Sequence, residues 1–240
     1  MIALVDIGNT RTKFCVVSQG GRSAVKSLPN ELLSSNYLSE HFDKADKLIV
    51  ASVSRNQLTD EIELWCDKHN ITYLKVVSEK CRNNVVSAYH QPSQLGVDRW
   101  LTLIGANSLY PNKNILIIDA GTATTIDLLA ANGKHQGGWI LAGINMLFNC
   151  VLNNTSQVKA NADSRASLSF GASSSENVNN ATWAATIGAI NLAVSQSEQQ
   201  GVVIDEILLT GGNGEALARL LSHQCTLIED LVFVGLQVYI

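Results

Sequence analysis

Apolar residues in the first third of the chain fall into short runs separated by polar turns. Ile2–Ile7 is apolar except for Asp6, the pattern of a strand buried on both faces. Lys13–Ser18 is a second run, and Gly20-Gly21 supplies a hairpin turn before a third strand over Arg22–Leu28. Pro29-Asn30 opens a helix that continues to about His41. Leu48–Val53 is β-branched and strand-like, Gln57–His69 has helical periodicity, and Thr72–Val77 returns to a strand pattern. Val85-Val86 suits a short strand and Pro92 to Gly96 a loop, and Asp98–Leu109 then reads as a helix ended by Pro111-Asn112. Asn114–Ile118 and Ala123–Ala130 read as a strand pair, followed by an Asn132-Gly133 turn and a strand over His135–Ile140. A long helix over Thr182–Glu198, a strand over Glu206–Leu209, a helix over Gly214–Ser222 and an apolar tail from Leu231 to Ile240 complete the series. The Ser/Asn/Ala-rich stretch Asn161–Asn180 is expected to be a mobile loop. Alternating strands and helices predict an α/β layered architecture of mixed sheets flanked by helices.

A repeat divides this series. Asp6-Ile7-Gly8-Asn9-Thr10 and Asp119-Ala120-Gly121-Thr122 both follow a buried strand, open on Asp-x-Gly and lead into a second strand. Asp119 stands 113 positions after Asp6, close to half the length. The pattern predicts two similar domains, residues 1–113 and 114–240.

Composition narrows the classes. Of 240 residues, 46% are hydrophobic and 16% charged, enough apolar side chain to fill a globular interior. The net charge of −4 and the absence of a Lys/Arg run argue against a nucleic-acid partner. No apolar stretch approaches the roughly 18 residues a bilayer span requires, and the N-terminus has no basic leader, so no membrane association is expected. Five scattered cysteines without a CxxC pair suit packing residues in a reducing cytoplasm.

Four motifs carry chemistry. In Asp6–Lys13, Gly8 permits a sharp turn with backbone N–H groups close to a ligand, Asn9, Thr10 and Thr12 add donors, and Lys13 adds positive charge. That set suits a polyphosphate, with a cation between Asp6 and the phosphates; alone, it is equally a plain β-turn. Asp119–Asp127 repeats the arrangement with three threonines and no lysine, and reads as a cation- or phosphate-facing turn or as a Thr-rich strand. Gly96-Val97-Asp98-Arg99 pairs a candidate base with a candidate anion clamp, or caps a helix beside a surface ion pair. Thr210-Gly211-Gly212-Asn213-Gly214 lets backbone lie flat against a ligand, or makes a tight strand-to-helix turn.

Together the four resemble the actin/hexokinase/Hsp70 ATPase superfamily, in which two ribonuclease-H-like domains close on ATP. Within it the chain is similar to the type III pantothenate kinases. DIGNTRTK at 6–13, GVDR at 96–99, IDAGTATTID at 118–127, GGWILAGINM at 137–146 and TGGNG at 210–214 follow in order across nearly the whole chain. The resemblance implies ATP-dependent phosphorylation of pantothenate. It assigns Asp6, Ile7, Gly8, Asn9, Thr10, Arg11, Thr12, Lys13 and Thr122 to ATP, with Asp6 near Mg²⁺. It makes Asp98 the catalytic base and gives Tyr89, Gly96, Val97, Asp98, Arg99 and Thr182 to pantothenate. It assigns Asp119 to a monovalent cation, K⁺ or NH₄⁺. Thr182 comes from the family pattern Asn-Thr-x-x-Ala, whose Asn is Ala181 here. A homodimer is implied as well. Another small hydroxylated substrate, a regulator without chemistry and a ribonuclease-H-like nuclease are the competing readings.

Overall fold

A computed structural model of the protein describes residues 1–53, 57–161 and 165–240. They form two compact units, one of Met1–Asn83, Tyr89–Ser108 and Asp230–Ile240, the other of Asn84–Ala88 and Leu109–Glu229. The chain passes from the first unit to the second after Ser108 and returns to the first at Asp230, so Asp230–Ile240 belongs with the N-terminal unit.

In the first unit, β1 (Ile2–Ile7) pairs antiparallel with β2 (Arg11–Ser18) and parallel with β5 (Lys47–Ser52). β3 (Gly21–Arg22) and β4 (Lys26–Pro29) both lie against β2, and β6 (Thr72–Lys75) is parallel to β5. The order is β3-β2-β1-β5-β6. The single strand expected over Arg22–Leu28 is broken after Arg22: Ser23 N–H still donates to the Val16 carbonyl at 2.9 Å, but Val16 N–H donates to the Ser23 hydroxyl at 3.0 Å. The helix expected from Pro29 begins later. Asn30–Leu32 is a 3₁₀ turn, and α1 (Ser35–Phe42) starts where the Ser34 side chain accepts from Tyr37 N–H. α2 (Gln57–His69) occupies the expected span. One face of the sheet, through Ala3, Val5, Ile7, Leu48 and Val50, packs with Phe42, Ile62 and Trp65.

The other face of β1 is covered by α7 (Leu231–Gln237). α3 (Val97–Leu109) crosses α7 at backbone distance: a Cβ on Gly105 would lie 2.6 Å from the Leu231 carbonyl oxygen, and one on Gly235 would overlap that of Leu101. Burial on both faces explains the uninterrupted apolar reading of β1.

The second unit repeats the plan. β9 (Ile115–Ala120) pairs antiparallel with β10 (Ala123–Leu129), which pairs with β11 (His135–Ala142). β12 (Glu206–Thr210) lies parallel to β9, and β13 (Thr226–Leu227) parallel to β12, giving the order β11-β10-β9-β12-β13. Strand for strand this is the first sheet's order, with three antiparallel strands and then two parallel ones. β7 (Cys81–Arg82) and β8 (Val85–Val86) are two-residue strands in the connecting region.

The core of the second unit packs Leu116, Ile118, Ala120 and Ile126 against Ile144, Trp183, Ile187 and Ile190. Those residues come from α4 (Ile144–Asn154) and α5 (Ser174–Gln199), and α6 (Gly214–Leu220) follows β12. α4 has no counterpart among the expected elements. α5 begins eight residues before the expected Thr182 and takes up the last seven residues of the stretch read as a loop; residues 162–164 of that stretch lie outside the described residues. The earlier start has a local cause. Ser173 accepts from Glu176 N–H while Glu176 accepts from Ala172 N–H at 2.7 Å, so the helix is capped from both directions. Among the described residues no helix is long and apolar enough to cross a membrane.

Candidate active-site elements

In the first unit, Asp6 stands near the end of β1 with Lys13 directly opposite on β2 and Ala51 beside it on β5. The β1–β2 turn is tight: Gly8 N–H donates to the Arg11 carbonyl at 3.0 Å. Asn9, Thr10 and Arg11 are exposed, and Arg11 Nε donates to Ser27 Oγ at 2.9 Å. Ile7 and Thr12 differ from the other loop residues. Ile7 is part of the core, and the buried Thr12 hydroxyl donates to Asn30 Oδ1 at 2.8 Å, so the side chains of both are engaged within the protein. Asn30 is the residue that motif reading missed. Its Nδ2 donates to the Gly8 carbonyl at 2.9 Å and its backbone N–H to that of Thr10 at 3.1 Å. One side chain thus ties both ends of the phosphate-type turn to the following segment, fixing the loop's backbone dipoles.

The second element of this unit is the start of α3. The Gly96 carbonyl accepts from Trp100 N–H at 3.0 Å, placing Asp98 in the first helical turn. There its Oδ1 accepts from Arg99 N–H at 2.7 Å, and the half-buried carboxylate sits in the partial positive charge of the helix N-terminus. A Cβ on Gly96 would come within 2.5 Å of Asp98 Oδ1, so the glycine leaves the room that the carboxylate occupies. Val97 is buried beside it. Arg99 is only 4% exposed and donates from Nη1 to the Tyr89 hydroxyl at 3.0 Å, its guanidinium 5.8 Å from the Tyr89 ring centre. Tyr89, Gly96, Val97, Asp98 and Arg99 therefore form one cluster.

In the second unit, Asp119 occupies on β9 the position that Asp6 has on β1. Its neighbours across the sheet are Thr125 and Thr210, where Asp6 has Lys13 and Ala51. An aspartate between two threonines is a row of oxygen-bearing side chains. Gly211, at φ +84°, lies flat against it: a Cβ there would overlap Asp119 Oδ1 and come within 2.7 Å of the Ala120 carbonyl carbon. Thr122 is exposed in the β9–β10 turn, whose carbonyl at residue 122 accepts from Gly143 N–H at 3.2 Å just before α4. Thr182 stands apart. It is buried on α5, and its hydroxyl donates to the Asn179 carbonyl at 2.7 Å.

Two sheets of one strand order, each with an aspartate closing its first strand beside a hairpin turn, define the actin-like ATPase fold of two ribonuclease-H-like domains. Solved structures agree on the fold. A conserved putative Baf family transcriptional activator from Campylobacter jejuni superposes with a TM-score of 0.63 at 21% identity, over 98% of this chain and 95% of that one. The activator of the 2-hydroxyisocaproyl-CoA dehydratase from Clostridium difficile, with bound ADPNP, gives 0.54 at 14% identity, over 99% and 93%. The sequence relationship is narrower: the chain belongs to the type III pantothenate kinase family, whose sequence model matches residues 2–196. A type III pantothenate kinase of Colwellia psychrerythraea is 50% identical over the full length of both chains, and one of Pseudoalteromonas translucida is 33% identical over 91% of this chain and 88% of its own.

Proposed function

We propose that the protein transfers the γ-phosphoryl group of ATP to the primary hydroxyl of pantothenate, giving 4′-phosphopantothenate at the entry to coenzyme A biosynthesis. The observation that carries this reading is the first turn of α3. A carboxylate and a buried guanidinium stand there on adjacent residues, the guanidinium held by Tyr89. Asp98 accepts the hydroxyl proton as the oxygen forms its bond to the γ-phosphorus and ADP leaves. Arg99 and Tyr89 orient the acceptor, with Arg99 suited to the pantothenate carboxylate. Gly96 and Val97 shape that site.

The Asp6–Lys13 turn receives the ATP phosphates, with Lys13 and the backbone of Gly8 supplying positive charge and dipoles. Asp6 offers one carboxylate at the phosphate turn, which fits Mg²⁺, an ion commonly held by one or two carboxylates plus phosphate oxygens. When bound, Mg²⁺ neutralises charge on the phosphates. The Thr125–Asp119–Thr210 row offers hard oxygen donors and one negative charge, which fits a monovalent cation, K⁺ or NH₄⁺. Thr122 contacts ATP. The enzyme works in the cytoplasm as a homodimer; exposed Trp139, Ile140 and Met146 on β11 and α4 give the second unit apolar surface of the kind that copies cover.

The test is ADP release from purified protein with ATP, Mg²⁺ and pantothenate, with and without K⁺ or NH₄⁺. Turnover should depend on pantothenate, and removing both monovalent cations should lower it by about tenfold or more, because charge stabilisation carries much of the barrier lowering in phosphoryl transfer. No ADP release under any of these conditions would sink the kinase reading and favour a regulator without chemistry. Cleavage of an RNA–DNA hybrid would favour the nuclease.

Asn30 gives a second expectation. Asn30→Ala removes two side-chain hydrogen bonds from the phosphate turn. It should raise the KM for ATP by about 3- to 10-fold and lower stability by about 1–2 kcal/mol, leaving the KM for pantothenate unchanged. Steady-state kinetics and urea unfolding read these effects; equal shifts in both KM values would contradict the assignment of the loop to ATP.

A further inference from the structure

Three consecutive side chains hold the cluster around Asp98 in place. Ser78 donates from Oγ to the Leu95 carbonyl at 2.7 Å, next to Gly96. Lys80 donates from Nζ to the Tyr89 carbonyl at 3.3 Å. Glu79, between them, works through the C-terminal segment: its Oε1 accepts from the Tyr239 hydroxyl at 2.9 Å, and that hydroxyl accepts from the Trp100 indole N–H at 3.0 Å. Trp100 is fully buried and follows Asp98 and Arg99 in the first turn of α3.

Tyr239 is itself held on several sides. Arg82 lies over its ring at 4.2 Å and donates to Glu79 from Nε at 2.7 Å, while Lys47 Nζ donates to the Tyr239 carbonyl at 3.0 Å. Burial pushes the phenol's pKa up by more than the Trp100 bond lowers it, and the bond to Glu79 raises it again, so the hydroxyl keeps the proton it donates. A hydroxyl that donates to a carboxylate and accepts from an indole has both its directional bonds fixed. The indole in turn fixes the rotation of α3 at its first turn.

We infer that Tyr239 is a positioning residue for phosphoryl transfer, its hydroxyl setting the first turn of α3 and thereby the place of Asp98 and Arg99. The inference rests on the function proposed above. Tyr239 lies beyond the residues 2–196 matched by the family model and reaches the first turn of α3 through Trp100.

Tyr239→Phe removes one oxygen and keeps the ring under Arg82 and the carbonyl held by Lys47. Misplacing a base by a fraction of an ångström is costly, so kcat should fall about 10-fold and the KM for pantothenate rise about 3- to 10-fold. The KM for ATP should stay within about twofold, because the Asp6–Lys13 turn shares none of these bonds. Glu79→Leu removes the phenol's acceptor and should give the same split. Glu79→Gln keeps an oxygen for the phenol and should restore kcat to within about threefold of the wild type. Unchanged kcat and pantothenate KM in folded Tyr239→Phe would overturn the inference. So would a lower active fraction with both KM values unchanged, the mark of simple destabilisation. If Tyr239→Phe is not recovered folded, Glu79→Leu decides alone by the same split. A wild-type protein with normal turnover and an unresponsive Tyr239→Phe defeats this inference only; a wild type without pantothenate-dependent turnover defeats it together with the kinase reading.

Discussion

Asp98→Asn should lower kcat by about 10³-fold while the protein stays folded, because a positioned general base is typically worth 10²- to 10⁴-fold and the amide cannot take the hydroxyl proton. The substitution is close to isosteric. The Asn side-chain oxygen can still accept from Arg99 N–H, the contact that Asp98 Oδ1 makes at 2.7 Å, and the space left by Gly96 is unchanged. What is lost structurally is one negative charge at a helix N-terminus, about 0.3–1 kcal/mol for a partly exposed group. The KM values should move little, since Arg99 and the Asp6–Lys13 turn are untouched. Turnover and thermal unfolding of the two proteins, measured side by side, separate chemistry from folding. A variant with near wild-type kcat would remove Asp98 from its role and leave positioning and charge to account for catalysis.

Gly235→Ala should be the most damaging single methyl group in the first unit. The added Cβ would overlap the Leu101 carbonyl oxygen and sit 2.8 Å from the carbon of the same carbonyl and 3.0 Å from its Cα. All three are backbone atoms of α3, so no rotamer change relieves the overlap and the helices must separate. Overpacking of this kind costs about 1–3 kcal/mol and sometimes more, against a helix-propensity gain of at most about 1 kcal/mol. A net loss of about 2 kcal/mol corresponds to a Tm lower by about 4–8 °C for a chain of this size. Because α3 carries Asp98 and Arg99, kcat should fall as well. Thermal unfolding of Gly235→Ala beside Gly188→Ala, a glycine whose added Cβ meets nothing within 4 Å, isolates the steric effect. Equal stability of the two variants would show that the α3–α7 crossing yields more readily than its geometry implies.

Elements with strong local signals could be read from the chain. β1 and α2 fall where their apolar periodicity puts them, and the repeated Asp-x-Gly turns lie at the same place in two sheets of identical order. The misreadings have particular causes. At Ser23 a strand stops where the side-chain hydroxyl accepts from Val16 N–H beside the remaining backbone bond, an option that strand propensity does not reveal. Asn30 looked like a helix opener beside Pro29, but its side chain is drawn back to Gly8 and Thr12. The start of α5 was legible, since Ser173 and Glu176 stand at capping-box spacing, yet the Ser-rich composition hid it. α4 lay within a glycine-rich apolar region, and the burial of Ile144 and Phe148 that supports the helix is tertiary.

The alternation of strands and helices, the duplicated turns that put Asp6 and Asp119 in matching positions, and the family were all legible along the chain, because these depend on short-range patterns and ordered motifs. Three features became visible with the folded chain: the last eleven residues belong with the first unit, Asn30 ties down the Gly8 turn, and Tyr239 bonds to Trp100. Those contacts join residues 22 and 139 positions apart in the last two cases, and such partners are selected by the packing of whole elements against a shared core. Chain-local rules act over a turn or a hairpin and carry no information at that range.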